Sequence, residues 1–206
     1  MSARESVRFD IAVALLLGSA AVATAWSGYQ CVRWGGRQAH HYNEADALRL
    51  SSNRVAGMAV AERQLDLAMF ANWLHAYANN RPELQEFMRQ RFRPEFHPPF
   101  EEWLASRPIT NPAAPSGPFV LPSYKVAKDA EAHRLLEEAN AAAADANRAN
   151  EVGDQYQLLT VSFSVVLFLA GAITPLRSSR VRLALLIVSI ALLLHGVFKM
   201  ARYPIE

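Results

Sequence analysis

A single cysteine, Cys31, stands in 206 residues, which excludes an internal disulfide framework. It leaves an inert or interfacial thiol, or a bridge between subunits, as the uses of that side chain. The preceding Gly28, Tyr29 and Gln30 lack the small and leucine residues of a lipoprotein box. Also missing are a phosphate-binding glycine loop, a nucleophile elbow, a zinc-ligand quartet and a haem attachment motif. The chain therefore reads as a non-enzyme, with no catalytic residue and no cofactor expected. A basic field is lacking too: the formal net charge is +2, and residues 29–155 hold 14 Lys and Arg against 16 Asp and Glu. Nucleic acid is not an expected partner. The remainder carries 7 against 3, so the excess of positive charge lies outside that central segment.

What is present is apolar sequence, 51% of the chain, gathered into long uncharged runs. Residues 11–30, 156–176 and 183–198 read as transmembrane helices, since about 20 residues at about 1.5 Å each cover a hydrocarbon core of about 30 Å. The third is short, and its flanking Arg182 and Lys199 reach the interface by snorkelling. The first has a rival reading as a signal peptide, because it ends in Ala23-Thr24-Ala25 after Arg4 and Arg8. Glu5 and Asp10 dilute that positive region, and Ser2 with Glu5 fits a capping box opening a helix that continues through the span.

Arginine placement sets the expected topology. The turn at 177–182 holds three arginines and no acid, and Arg4 and Arg8 agree with it. Residues 1–10 and 177–182 are thus expected in the cytoplasm, with 31–155 and the tail 199–206 outside. Trp26, Tyr29 and Trp34 mark the outer membrane interface, where an apolar ring with a polar edge is favoured.

The hydrophilic segment has its own pattern. Ala132, Leu135, Ala139, Ala142, Ala146, Ala149, Gly153 and Tyr156 follow steps of three and four, a heptad seam of small residues that leads into the second span. Residues 37–78 contain no proline and offer Ala45, Ser52, Ala56 and Ala59 for close approach, with Gly57 a candidate kink. These patterns predict two antiparallel arms. The second arm, capped at Ser123, is about 32 residues and the first about 50, so residues 65–122 form a separate head. Residues 65–77 are apolar nearly all round and call for cover on more than one side. Proline-opened helices near residues 82–92 and after Pro98-Pro99 supply it. A proline-rich strap over 107–122 leads back. The predicted fold is an all-α membrane protein with three transmembrane helices, an extracytoplasmic antiparallel helical hairpin forming a coiled-coil stalk, and a small helical head.

Candidate chemistry is thin. His40, His41 and Glu44 place imidazole and carboxylate one turn apart, a weak metal candidate without an evident second pair of ligands. Glu83, Glu86, Glu95, Glu101 and Glu102 alternate with Arg81, Arg89, Arg91, Arg93 and Arg107, which reads as an ion-pair network. The arginines of Arg91 to Phe96 are expected to cap carbonyls or to pair with Glu101 and Glu102. The spans contain no Asp, Glu, Lys or Arg, and His195 lies near an end, which weighs against a pump.

The stretches ATAWSGYQCVRWGG (residues 23–36), RFRPEF (91–96), NPAAPSGPF (111–119) and YQLLT (156–160) resemble a group of uncharacterised bacterial inner-membrane proteins. The resemblance implies a bacterial inner-membrane location and a shared architecture. It brings no activity and no functional residues. The expectation is a membrane-anchored helical protein that self-assembles or serves as an accessory subunit of a membrane complex. An extracytoplasmic sensor or ligand-binding module, or a subunit of an oligomeric channel, is the alternative.

Overall fold

The computed structural model describes residues 3–206, with side chains from Val7 onward; the Ser2–Glu5 capping box lies outside them. Among the described residues the chain is all-helical: α1 (Ala3–Ala78), α2 (Pro82–Arg89), α3 (His97–Ala105), a short 3-10 turn (Pro118–Val120), α4 (Ala127–Ile173) and α5 (Ser179–Met200). Three of these, α1, α4 and α5, are long and apolar enough to cross a membrane. The chain divides into two compact units, one of Met1–Glu44 with Ala141–Glu206, the other of Ala45–Asn140.

Helix boundaries follow local chemistry. With no proline before Pro82, α1 continues through Gly35, Gly36 and Gly57 as one unbroken helix. It ends where Asn80 adopts φ 49°. The Arg81 amide donates to the Ala76 carbonyl at 3.0 Å and the Asn80 amide to Tyr77 at 3.0 Å, the double bond of a Schellman cap built on asparagine. Pro82 and Pro98 sit in the first turns of α2 and α3, where their missing N–H costs nothing. Contrary to the expected cap at Ser123, α4 starts at Ala127, because the chain at Ser123 is still in a turn closed by the Tyr124 amide donating to the Leu121 carbonyl at 3.0 Å.

In the unit of Met1–Glu44 with Ala141–Glu206, Val13, Leu16 and Ala20 of α1 pack with Val166, Ala170 and Ile173 of α4 and Leu186 of α5. A second cluster joins Ala23 and Trp34 to Ala149, Tyr156, Leu159 and Phe163. Burial on α5 is confined to Leu186, Ser189 and Gly196, a narrow stripe at steps of three and seven, while Leu183, Ile187, Leu194 and Phe198 face outward. Arg182 ties the start of α5 to α1 by donating to Asp10 at 3.1 Å and lying 4.5 Å over the Phe9 ring. Beyond α5 the tail turns back onto the unit. Gln30, fully buried, donates to the Glu206 carbonyl and accepts from the Glu206 amide at 2.9 Å, and the Tyr156 hydroxyl donates to the Pro204 carbonyl at 3.1 Å.

The other unit is centred on rings. Phe70, Trp73, Phe92, Phe96, Phe100 and Trp103 form one buried cluster. Edge-to-face pairs dominate it, with Phe92–Phe100 at 4.8 Å, Trp73–Phe100 at 4.9 Å and Phe70–Trp103 at 5.1 Å. The Trp103 indole N–H donates to the Pro115 carbonyl at 2.9 Å, pinning the strap without a helix. Cover over the apolar end of α1 is one-sided: Leu65, Leu67, Leu74 and Tyr77 stay exposed, because α2 and α3 both pack on the Phe70–Trp73 face.

Among the glycines, Gly196 has the least room for a side chain. A Cβ there would meet the fully buried Phe163 ring at 2.5 Å, whereas one at Gly171 would meet nothing within 4 Å. Gly196→Ala is therefore expected to lower stability by about 1–3 kcal/mol through overpacking. Gly171→Ala should leave it unchanged or slightly raised, as read by unfolding of the detergent-solubilised protein.

Candidate functional site

A single carboxylate organises the polar chemistry outside the spans. Asp66 lies on α1 with 1% of its side chain exposed, and Arg93 grips both its oxygens, Nε to Oδ1 and Nη2 to Oδ2, each at 2.9 Å. The same guanidinium donates to Glu62 at 2.9 Å and reaches Glu95 at 3.5 Å. Tyr124 completes the shell by donating its hydroxyl to Asp66 Oδ2 at 3.0 Å, while its ring stands edge-on to Phe119 at 5.2 Å and Phe96 at 6.0 Å. One residue from α1, one from the turn after α2 and one from the segment before α4 thus meet at a buried charge. Bidentate contact of this kind combines charge with fixed geometry.

The arrangement closes the carboxylate rather than presenting it. With two guanidinium bonds and one phenol bond, Asp66 has little acceptor capacity left for a substrate proton. The hydrogen bond from Arg93, then the Coulombic pull of Asp66, Glu62 and Glu95, raise the arginine pKa further against the opposing effect of burial. The Tyr124 hydroxyl is pushed up to about 12, first by burial, then by its bond to Asp66 and the charge of that carboxylate, with Arg93 and Arg63 pulling the other way.

The structure redistributes the expected ion pairs. Arg93 pairs with Asp66 and Glu62, whereas Glu101 goes to Arg89 at 2.8 Å and Glu102 to Ser123, so the expected pairing of the 91–96 arginines with Glu101 and Glu102 does not form. Arg91 does bind a carbonyl, that of Phe87 at 3.1 Å. Asp66 escaped the sequence reading, since a lone aspartate on a helix reads as solvated. The signal that could have found it is its register: Ala45, Ser52, Ala59 and Asp66 follow at steps of seven and all are buried.

The small-residue seam is inward. Ala139 and Ala146 are fully buried, Ala132, Ala142, Ala149, Gly153 and Tyr156 are buried, and Leu135 is half-buried, all within one chain. In one unit Ser52 donates to the Ala132 carbonyl at 2.8 Å and Arg63 pairs with Asp129. In the other, Tyr42 donates to Asn147 at 2.7 Å, and Gly153 leaves room for Trp34, whose Cβ would sit 3.6 Å from an added methyl. Of the expected interface aromatics, Trp26 and Tyr29 are exposed with rings 5.9 Å apart, but Trp34 is 8% exposed and packs inward. His41 meets Glu44 at 3.4 Å and His40 stacks edge-on against His41 at 5.5 Å. Among the described residues no group of three His, Cys, Asp or Glu side chains is placed to hold a metal ion.

No protein-family model, curated protein or solved structure matches this chain.

Two measurements check the buried node. Arg93→Gln strands Asp66 without a counter-charge and is expected to cost about 3–5 kcal/mol of unfolding free energy. The folded pKa of Tyr124 lies above the ordinary value of about 10, so the folded state keeps that proton longer. Its contribution is intact below about pH 10 and is lost as pH rises towards 12. A tyrosinate absorbance titration should therefore lose one late-ionising tyrosine in Tyr124→Phe.

Proposed function

We propose that the protein is a non-enzymatic, membrane-anchored accessory subunit, which assembles with another membrane protein or with further copies of itself. In this reading the N-terminus is cytoplasmic, the membrane is the bacterial inner membrane, and residues 31–155 form an external antiparallel coiled-coil stalk with a small helical head. The observation that carries the proposal is the uncovered aliphatic surface on the last part of α1: Leu67 and Leu74, two turns apart on one face, are 57% and 37% exposed. These residues lie outside the apolar runs, where lipid does not account for them, and an apolar patch in water marks a contact surface.

Other features narrow the mode of assembly. Because the small-residue seam is occupied inside the chain, the proposed partner meets the head and the outward faces of the spans instead. Filling of the aromatic cluster, with Phe96 and Phe100 fully buried, disfavours a small-molecule sensor whose ligand enters the head. The span hydroxyls disfavour a channel lining, since Thr24, Thr160, Ser162 and Ser164 each donate to a carbonyl four residues back in their own helix.

Gentle purification from native membranes, followed by mass determination, tests this. A mass above one chain, or a co-purifying protein, is expected. Leu67→Glu with Leu74→Glu should release that partner while changing stability by no more than about 0.5 kcal/mol for each exposed site. A lone chain in every preparation, or a partner indifferent to both changes, would overturn the proposal.

A further inference from the structure

One face of α1 carries two grooves in line. The lower, of about 750 Å³, is walled by Ala14, Gly18, Val22 and Trp26 on α1 and by Val197 and Met200 on α5. The upper, of about 530 Å³, is lined by Arg33, Arg37, His40 and His41 on α1, with Glu206 of the tail opposite. Their α1 residues recur about eighteen positions apart, five turns at about 3.6 residues per turn, so Arg33 stands above Leu15, Arg37 above Ser19 and His40 above Val22. The exposed rings of Trp26 and Tyr29 lie between the two.

Vertical dimensions match one lipid leaflet. From Ala14 to Trp26 the helix rises about 18 Å, against about 15 Å for half a hydrocarbon core. Side chains on a helix lean toward its N-terminus, so Arg33 and Arg37 reach back from above the aromatic level to the headgroup region. The charges on this face are unequal. Arg37 is shared with Glu206 at 2.7 Å and stacks 5.3 Å over Trp34, and His41 faces Glu44 at 3.4 Å. Arg33 has no ion-pair partner among the described residues, which leaves one unpaired cation at the level of a phosphate.

We propose that this face is the seat of one anionic phospholipid drawn from the surrounding leaflet. An acyl chain fills the apolar groove between α1 and α5, the glycerol backbone passes Trp26 and Tyr29, and the phosphate meets Arg33 and Arg37. Apolar volume, amphipathic rings and free positive charge follow in the same order as the parts of such a lipid. The proposal goes beyond the accessory-subunit reading and does not require a protein partner.

The test reconstitutes the full chain in nanodiscs containing equal phosphatidylglycerol and phosphatidylcholine, then quantifies lipids retained by native mass spectrometry. Enrichment of phosphatidylglycerol is expected. Arg33→Gln should reduce it roughly five-fold, the weight of one cation near a membrane surface, and Arg33→Lys should preserve it. Filling the groove with Gly18→Leu should reduce retention of both lipids. Arg33 is exposed, so its variants keep the fold, and circular dichroism of each variant verifies this. The proposal is overturned if the two lipids are retained equally or if Arg33→Gln changes nothing. It is also overturned if inorganic phosphate binds at Arg33 while Gly18→Leu leaves phosphatidylglycerol retention intact, for that defines a free-phosphate site. A two-chain mass that Gly18→Leu halves would assign the groove to a second copy and likewise overturn it.

Discussion

Close approach between α1 and α4 is the constraint on which the rest depends. Within the unit of Ala45–Asn140, at Ala45, Ser52 and Ala59 on one helix and Ala132 and Ala139 on the other, the buried side chains are barely more than a methyl group. Axes packed through such residues lie near the lower end of the usual range of about 8–10 Å. A larger side chain at any of these positions would separate the backbones and break the bond from Ser52 to the Ala132 carbonyl. Such a seam is specific but buries little apolar area per residue. Stability has to come from elsewhere in each unit.

Each unit answers that need differently. One draws on the aromatic cluster of Phe70, Trp73, Phe92, Phe96, Phe100 and Trp103, whose edge-to-face pairs add about 0.5–1.5 kcal/mol each beyond burial. Asp66 marks where the small-residue register of α1 gives way to rings, and its bonds to Arg93 and Tyr124 hold the segments after α2 and before α4 against that helix. Removing both partners of such a buried pair costs far less than removing one, so the node acts chiefly on which segments meet. The other unit draws on long aliphatic and aromatic contacts between spans and on the tail, which Gln30 and Tyr156 bind through backbone groups.

Elements with a strong local signal were legible in the sequence. The three spans showed as uncharged runs, and the α4 seam showed because alanine at alternating steps of three and four is a pattern of spacing alone. What resisted reading depends on distant partners. Asp66 looks solvated until Arg93, 27 residues away, is folded against it. Trp34 looks like an interface anchor, yet Ser27, Gln30 and Trp34 share the buried register of α1. Ser123 has the composition of a cap, but it lies in the turn closed between Leu121 and Tyr124, ahead of the helix. The exposed Leu67 and Leu74 belong to an apolar stretch that sequence alone assigns to a core.

The central claim is that the small-residue seam is used within one chain, which leaves the outward surfaces for assembly. Ser52→Cys with Ala132→Cys, in a Cys31→Ser background, tests it by oxidation in native membranes. The account predicts a disulfide within each chain, seen as a faster-migrating single-chain band lost on reduction. Disulfide-linked dimers in place of that band would contradict it and assign the seam to the contact between subunits.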